Sequence, residues 1–153
     1  MGPASQAWTE VGKYRGLQQC STAEGVFAVL AMDHRDNLRR SLCPGSPETV
    51  GDEELIAFKR EVVAALAPVC SAVLLDPEYG VVPAITDGAL PGATGLIVAL
   101  ERTGYSGEST ARHSELLPGW DAQAAARVGA NAIKLLVYYH PAAPTAPAAE
   151  ELV

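Results

Sequence analysis

The chain reads as a parallel α/β fold, on three observations. Four short apolar runs recur along it, each bounded by glycine, proline or polar residues, as strands buried on both faces require. Each run is followed at once by charged or polar residues, and helical or long connecting segments separate the runs, which calls for parallel strands joined by right-handed crossovers. In such folds function gathers at the carboxyl ends of the strands.

The first run is Val26 to Met32, flanked by Gly25 and by Asp33, His34, Arg35 and Asp36. No glycine follows it in MDHRDNLRR, so neither a dinucleotide fingerprint nor a phosphate loop is present and a nucleotide fold is disfavoured. After the break CPGSPETVGD, Asp52 is placed to cap a helix to about Leu66, with Leu55, Phe58, Val62, Ala65 and Leu66 at helical spacing and Pro68 as its stop. Ala72 to Leu75 is the second strand and closes on Asp76, Pro77, Glu78, Tyr79 and Gly80. The third is Gly95 to Leu100, ending on Glu101 and Arg102. A loop through Gly104, Gly107 and Pro118 leads to a helix over Trp120 to Val128, which Gly129 ends as a C-terminal cap. The fourth strand is Ala132 to Tyr138, and PAAPTAPAAEELV follows as a loop and the start of a helix.

The chain has 153 residues, enough for one domain with its own core, and 48% are hydrophobic. No stretch reaches the roughly 18 uninterrupted apolar residues of a membrane span. MGPASQAWTEVGKYRG has neither the apolar core of a secretory signal nor a myristoylation pattern, so a cytoplasmic protein is expected. Cys20, Cys43 and Cys70 are odd in number and widely spaced, which suits reduced thiols better than a disulfide frame or a zinc site. The formal charge of -7, with no basic run beyond Arg39 and Arg40, argues against a nucleic-acid partner. A phosphorylated ligand stays admissible, because it needs only a few local donors.

Lys134 interrupts the apolar strand in GANAIKLLVYYH. A buried ammonium is expensive unless paired, so a strand that carries one usually has a use for it. Strand alternation sends Ile133, Leu135 and Val137 to one face and Lys134, Leu136 and Tyr138 to the other. A one-faced sheet would leave Lys134 in water, but Leu136 on the same face suggests a second packed surface. In a dry pocket beside a carboxylate, the ammonium can hold a substrate oxygen or phosphate, or act as a Schiff-base nucleophile.

Asp33 ends the most apolar strand and calls for a cationic partner, a helix-capping or Arg-paired role being the plainer reading. The adjacent Asp33 and His34 diverge in extended chain and make no metal pair, and His34, His113 and His140 are read as structural or without a role. The HRD in MDHRDN superficially matches a kinase catalytic loop, but the glycine-rich loop, strand lysine and DFG are missing in their order. In DPEYG, Pro77 and Gly80 set a tight turn and Asp76 bonds its own backbone. Glu101 and Arg102 read as a surface pair worth little.

LAMDHRDNLRR, LLDPEYG, ALERTGY and GANAIKLLVYYH, in this order, resemble the N-terminal half of class I tagatose-1,6-bisphosphate aldolases over about Gly25 to His140. Sulfofructose-phosphate aldolases share the pattern more loosely. The resemblance implies part of a (β/α)8 TIM barrel, about its first four strand-helix units, and a lysine-imine lyase of carbohydrate metabolism that uses no metal or other cofactor. It implies that Asp33 faces the reacting hydroxyls as a catalytic residue and that Lys134 supplies positive charge to substrate oxygens. Arg35, within the same motif, is taken as a further substrate-binding residue. The family's imine lysine and proton-shuttling glutamate fall on later strands, so Lys134 is not expected to be the nucleophile and the isolated chain is expected to be inactive.

The expected organisation is an N-terminal extension at 1–24, the aldolase half-barrel at 25–140, and a truncated linker or helix start at 141–153. A full barrel takes about 250 residues, so the simplest account is a fragment. Half a barrel leaves two open sheet edges, and the expected partners are a phosphorylated ketose and either the C-terminal half or further copies of the chain. The alternative function is a non-catalytic sugar-phosphate-binding module.

Overall fold

The computed structural model describes residues 3–102 and 112–153. The loop positions Gly104 and Gly107, and most of the ERTGY motif, lie outside the described residues. Four parallel strands, β1 (Val29–Met32), β2 (Ala72–Leu75), β3 (Gly95–Ala99) and β4 (Ala132–Lys134), form one sheet in sequential order. Val29 aligns with Ala72, Ala72 with Gly95, and Ile97 with Ala132. The helices are α1 (Pro3–Cys20), α2 (Asp36–Leu42), α3 (Asp52–Leu66), α4 (Val82–Thr86), α5 (Ala122–Arg127) and α6 (Ala146–Glu151). This is the parallel α/β arrangement expected from the four apolar runs, and Asp33, Asp76, Glu101 and Lys134 stand at or just beyond the carboxyl ends of the four strands.

The two inner strands are the buried ones. Val73, Leu75, Leu96 and Val98 join Val63, Ala67, Val81 and Leu100 in one core. The outer strands are more open, because each lacks a neighbour on one side. β1 starts at Val29 rather than Val26, and Val26 and Phe27 are 58% and 54% exposed, so the expectation of a fully buried run is corrected there. β4 stops at Lys134 rather than Tyr138, because β3 ends at Ala99 and Glu101 turns away to bridge Leu116.

Helix α3 has the expected bounds with a different start and a different face. Gly51 occupies the cap position and makes no side-chain cap, while Asp52 is the first helical residue and its carboxylate pairs with Arg39. The buried positions are Leu55, Lys59 and Val63, at i, i+4 and i+8, with Phe58 and Val62 flanking them and Leu66 exposed. Helix α5 is shorter than expected, since Asp121 caps it by accepting from Ala124 N at 2.7 Å, and Gly129 ends it at φ +84°.

Helices α1 and α2 were not expected. The end of α1 lies across the N-terminal ends of β3 and β4, which only glycines permit. A Cβ on Gly95 would sit 2.6 Å from the Gln19 carbonyl oxygen, and one on Gly16 would strike the carbonyl of Asn131. The Asn131 side chain joins the two layers, accepting from Leu96 N at 2.8 Å and donating to Gln19 Oε1 at 2.7 Å. This face is thus covered, and the carboxyl ends of the strands are left for a site.

Candidate functional site

At those carboxyl ends lies a cavity of about 190 Å³, whose lining includes Asp33, His34, Arg35, Glu101, Lys134, Leu136 and Tyr138. Lys134, Leu136 and Tyr138 all line this cavity, as expected, although the last two lie beyond the end of β4, while Ile133 points away and is 47% exposed.

The centre of the cavity is an ammonium between two carboxylates. Lys134 Nζ donates to Asp33 Oδ2 at 2.8 Å and also to Glu101 Oε1. Asp33 and Glu101 are 13% and 8% exposed and Lys134 is 32% exposed, so the group is neither dry nor fully solvated. Burial pulls the Lys134 ammonium down, but the hydrogen bonds and charges of Asp33 and Glu101 outweigh it and hold the lysine above its ordinary range. The amine is therefore protonated at neutral pH, which suits holding substrate oxygens and disfavours direct attack on a carbonyl. Glu101 Oε2 also accepts from Leu136 N at 3.3 Å, so the carboxylate is oriented from both sides.

The cationic partner expected for Asp33 is thus Lys134, and Asp33 caps no helix: Arg35 holds the cap position of α2 and makes no side-chain cap. The reading of Glu101 and Arg102 as a surface pair is corrected. Glu101 is buried on Lys134, whereas Arg102 pairs with Glu115 at 3.6 Å, both of them more than 60% exposed. The sequence held a signal for this, because Glu101 follows a fully buried strand just as Asp33 follows a strand.

Arg35 lines the cavity but is only 2% exposed, and both of its terminal nitrogens make hydrogen bonds. Nη1 donates to Glu78 Oε2 at 2.6 Å and Nη2 to the Glu101 carbonyl at 2.8 Å. Its Nε lies 4.0 Å from Asp76 and is buried without a hydrogen-bond acceptor among the described residues. His34 is exposed, with Nδ1 3.8 Å from Asp33 Oδ1. Among the described residues no group of three His, Cys, Asp or Glu side chains is disposed to hold a metal ion.

The more deeply buried lysine is one that sequence reasoning passed over. Lys59 is 1% exposed and donates to the Met32 carbonyl at 2.9 Å and to Asp76 Oδ1. Burial pushes its ammonium below the ordinary lysine range, and the attraction of Asp76 offsets this only in part. Asp76 is fully buried and accepts from Tyr79 N at 2.7 Å, so it does bond its own backbone as the DPEYG motif suggested.

The sequence model described as "DeoC/LacD family aldolase" matches residues 27–150. Tagatose 1,6-diphosphate aldolase 2 of Enterococcus faecalis is 38% identical over 128 residues, 84% of this chain and 38% of that protein. Tagatose 1,6-diphosphate aldolases of Streptococcus agalactiae and Listeria monocytogenes are each 37% identical, over 127 and 133 residues, again covering 38% of those proteins. The chain thus spans about two fifths of the length of these curated relatives. Asp33, Arg35, Glu101 and Lys134 all fall inside the matched region.

Proposed function

The chain belongs to the DeoC/LacD family of aldolases, and on that premise we propose that it forms the N-terminal part of a class I aldolase acting on a ketose bisphosphate of the tagatose 1,6-bisphosphate type. In this reading the four parallel strands are the first half of a (β/α)8 barrel. The substrate is cleaved to glycerone phosphate and glyceraldehyde 3-phosphate through a lysine imine, and the catalytic elements this chain lacks are supplied by further strands. The observation that carries the proposal is the hydrogen bond of Lys134 to Asp33 at the strand ends, across 101 residues of sequence.

Within the pocket each group has a role. Asp33 accepts hydrogen bonds from the sugar hydroxyls near the bond to be broken, and Lys134 donates to the oxygens between them. Two carboxylates around one ammonium keep that ammonium charged, which supports Lys134 as a binding group and an imine on another lysine. Arg35 contributes by fixing Glu101 rather than by direct contact, since it is almost fully buried and both terminal nitrogens are hydrogen-bonded to Glu78 and Glu101. An imine at Lys134 is the second catalytic reading. Glu101 favours it by placing a carboxylate at the amine, and the raised pKa disfavours it.

The open edges of β1 and β4, with Val29 at 40% and Ile133 at 47% exposure, support assembly with a C-terminal half or with another copy. Calorimetry with tagatose 1,6-bisphosphate tests the pocket directly. A Kd between about 10 μM and 1 mM is expected, weakened about tenfold or more by Asp33→Asn and by Lys134→Met. Absence of binding at millimolar sugar, or binding that neither substitution weakens, would overturn the proposal.

A further inference from the structure

Beneath the pocket lies a buried charge cluster whose lysine and aspartate are not among the residues lining the cavity. Lys59 on α3 and Asp76 at the end of β2 are 1% and 0% exposed, and Arg35 stands beside them. A buried ion pair is weak evidence for stability, because apolar residues of similar volume often serve as well. Where the hydrogen bonds of this cluster go is more informative.

Each cation of the cluster spends a donor on a main-chain carbonyl that belongs to the site. Lys59 holds the carbonyl of Met32 at 2.9 Å, and that carbonyl shares its peptide plane with the nitrogen of Asp33. Arg35 holds the carbonyl of Glu101 itself at 2.8 Å. Both arms return to one short π-helical turn, Pro77–Val81, where Glu78 accepts from Arg35 at 2.6 Å and Tyr79 N holds Asp76 at 2.7 Å. Single π-helical turns are frequent at functional sites. The two carboxylates that flank Lys134 are thus fixed through their backbones from a single buried base.

We infer that Lys59 and Arg35 are positioning residues, which set the backbone of Asp33 and of Glu101 so that both carboxylates meet the Lys134 ammonium. Lys59 acts through the Met32 peptide, and Asp76 keeps Lys59 aimed there. Arg35 acts through the Glu101 carbonyl, and Glu78 braces its other nitrogen. The inference rests on the aldolase reading only for what the arrangement serves. Its test needs no substrate, so its failure and a failure of sugar binding are told apart.

The chain contains three lysines, Lys13, Lys59 and Lys134, so NMR of lysine labelled with carbon-13 at Cε follows the titration of Lys134 on its own. The variant Lys59→Met with Asp76→Asn removes one positive and one negative charge together and keeps the volume. The titration midpoint of Lys134 should fall by about one pH unit, as befits the loss of well-placed opposite charges. Loss of the Lys59 charge alone would move Lys134 the other way, since a neighbouring cation would be gone. A folded variant in which Lys134 stays within about 0.3 units of the unaltered chain, or rises, overturns the inference. Where that variant loses the circular-dichroism signature of the fold, Arg35→Lys is read in the same way. It keeps a positive charge but cannot reach both Glu78 and the Glu101 carbonyl, and it should lower Lys134 by a similar amount.

Discussion

Removing the ammonium between the two carboxylates of the pocket is the perturbation whose size the structure best defines. Asp33 lies 2.8 Å from Lys134 Nζ, a distance at which opposite charges attract by about 6 kcal/mol at an effective dielectric constant of about 20. Desolvation and the 32% exposure of Lys134 cut the net coupling to about 1–2 kcal/mol. Lys134→Met alone should cost more, about 3 kcal/mol, because it leaves Asp33 and Glu101 facing each other without their counter-ion. In a chain of 153 residues that lowers Tm by about 6–12 °C. The assay is a double-mutant cycle of Asp33→Asn and Lys134→Met, followed by urea and thermal denaturation. In the double variant the loss should be smaller than the sum of the single losses by the coupling just given. Additivity to within about 0.5 kcal/mol would refute the ion pair as an energetic unit.

Three further outcomes concern the pH dependence of the same pair and two helix contacts outside the pocket. The Lys134 proton is held more tightly in the folded chain than in the unfolded one, so its contribution is complete below the unfolded lysine value of about 10.4 and is lost as pH rises through the higher folded value. The stability difference between the unaltered chain and Lys134→Met should therefore be flat from about pH 7 to 10 and shrink above that range; a difference that grows there would contradict the sign. Gly95→Ala drives a methyl group onto the Gln19 carbonyl and should destabilise by about 1–3 kcal/mol while opening α1 to limited proteolysis. Gly92→Ala, with nothing within 4 Å, should change neither reading. Asp121→Ala deletes the cap of α5 and should cost about 1 kcal/mol by denaturant midpoint.

The strand order and the polar strand tips were legible because they depend on local pattern. β2 and β3 are packed on both faces, so their apolar runs mark them almost residue for residue. β1 and β4 were overestimated in length, since an apolar sequence does not reveal which of its faces lacks a neighbour. Helix α1 left no periodic signal: the parts of its C-terminal end that are buried, Gly16 and Cys20, are small and pack end-on across strand termini.

In the site, Asp33 and Lys134 were legible as charges placed in or after apolar strands. Glu101 satisfied the same criterion and was set aside because Arg102 beside it offered a simpler partner, although adjacent residues on a strand end point apart. Lys59 was hidden by a rotation of α3. Its place between Leu55 and Val63 at i−4 and i+4 was the available sign that a lysine lies on the buried face. Arg35 reads as a substrate ligand because of its motif, and only the three-dimensional contacts show its two terminal nitrogens bound to Glu78 and Glu101.

The central claim, that Lys134 holds substrate and does not attack it, is tested most directly by borohydride reduction in the presence of tagatose 1,6-bisphosphate, followed by mass spectrometry of the lysine peptides. The account predicts no reduced adduct on Lys134 in the isolated chain, and an adduct on a lysine of the other half when a relative's C-terminal part is supplied and restores cleavage. A stable adduct on Lys134 itself would contradict it.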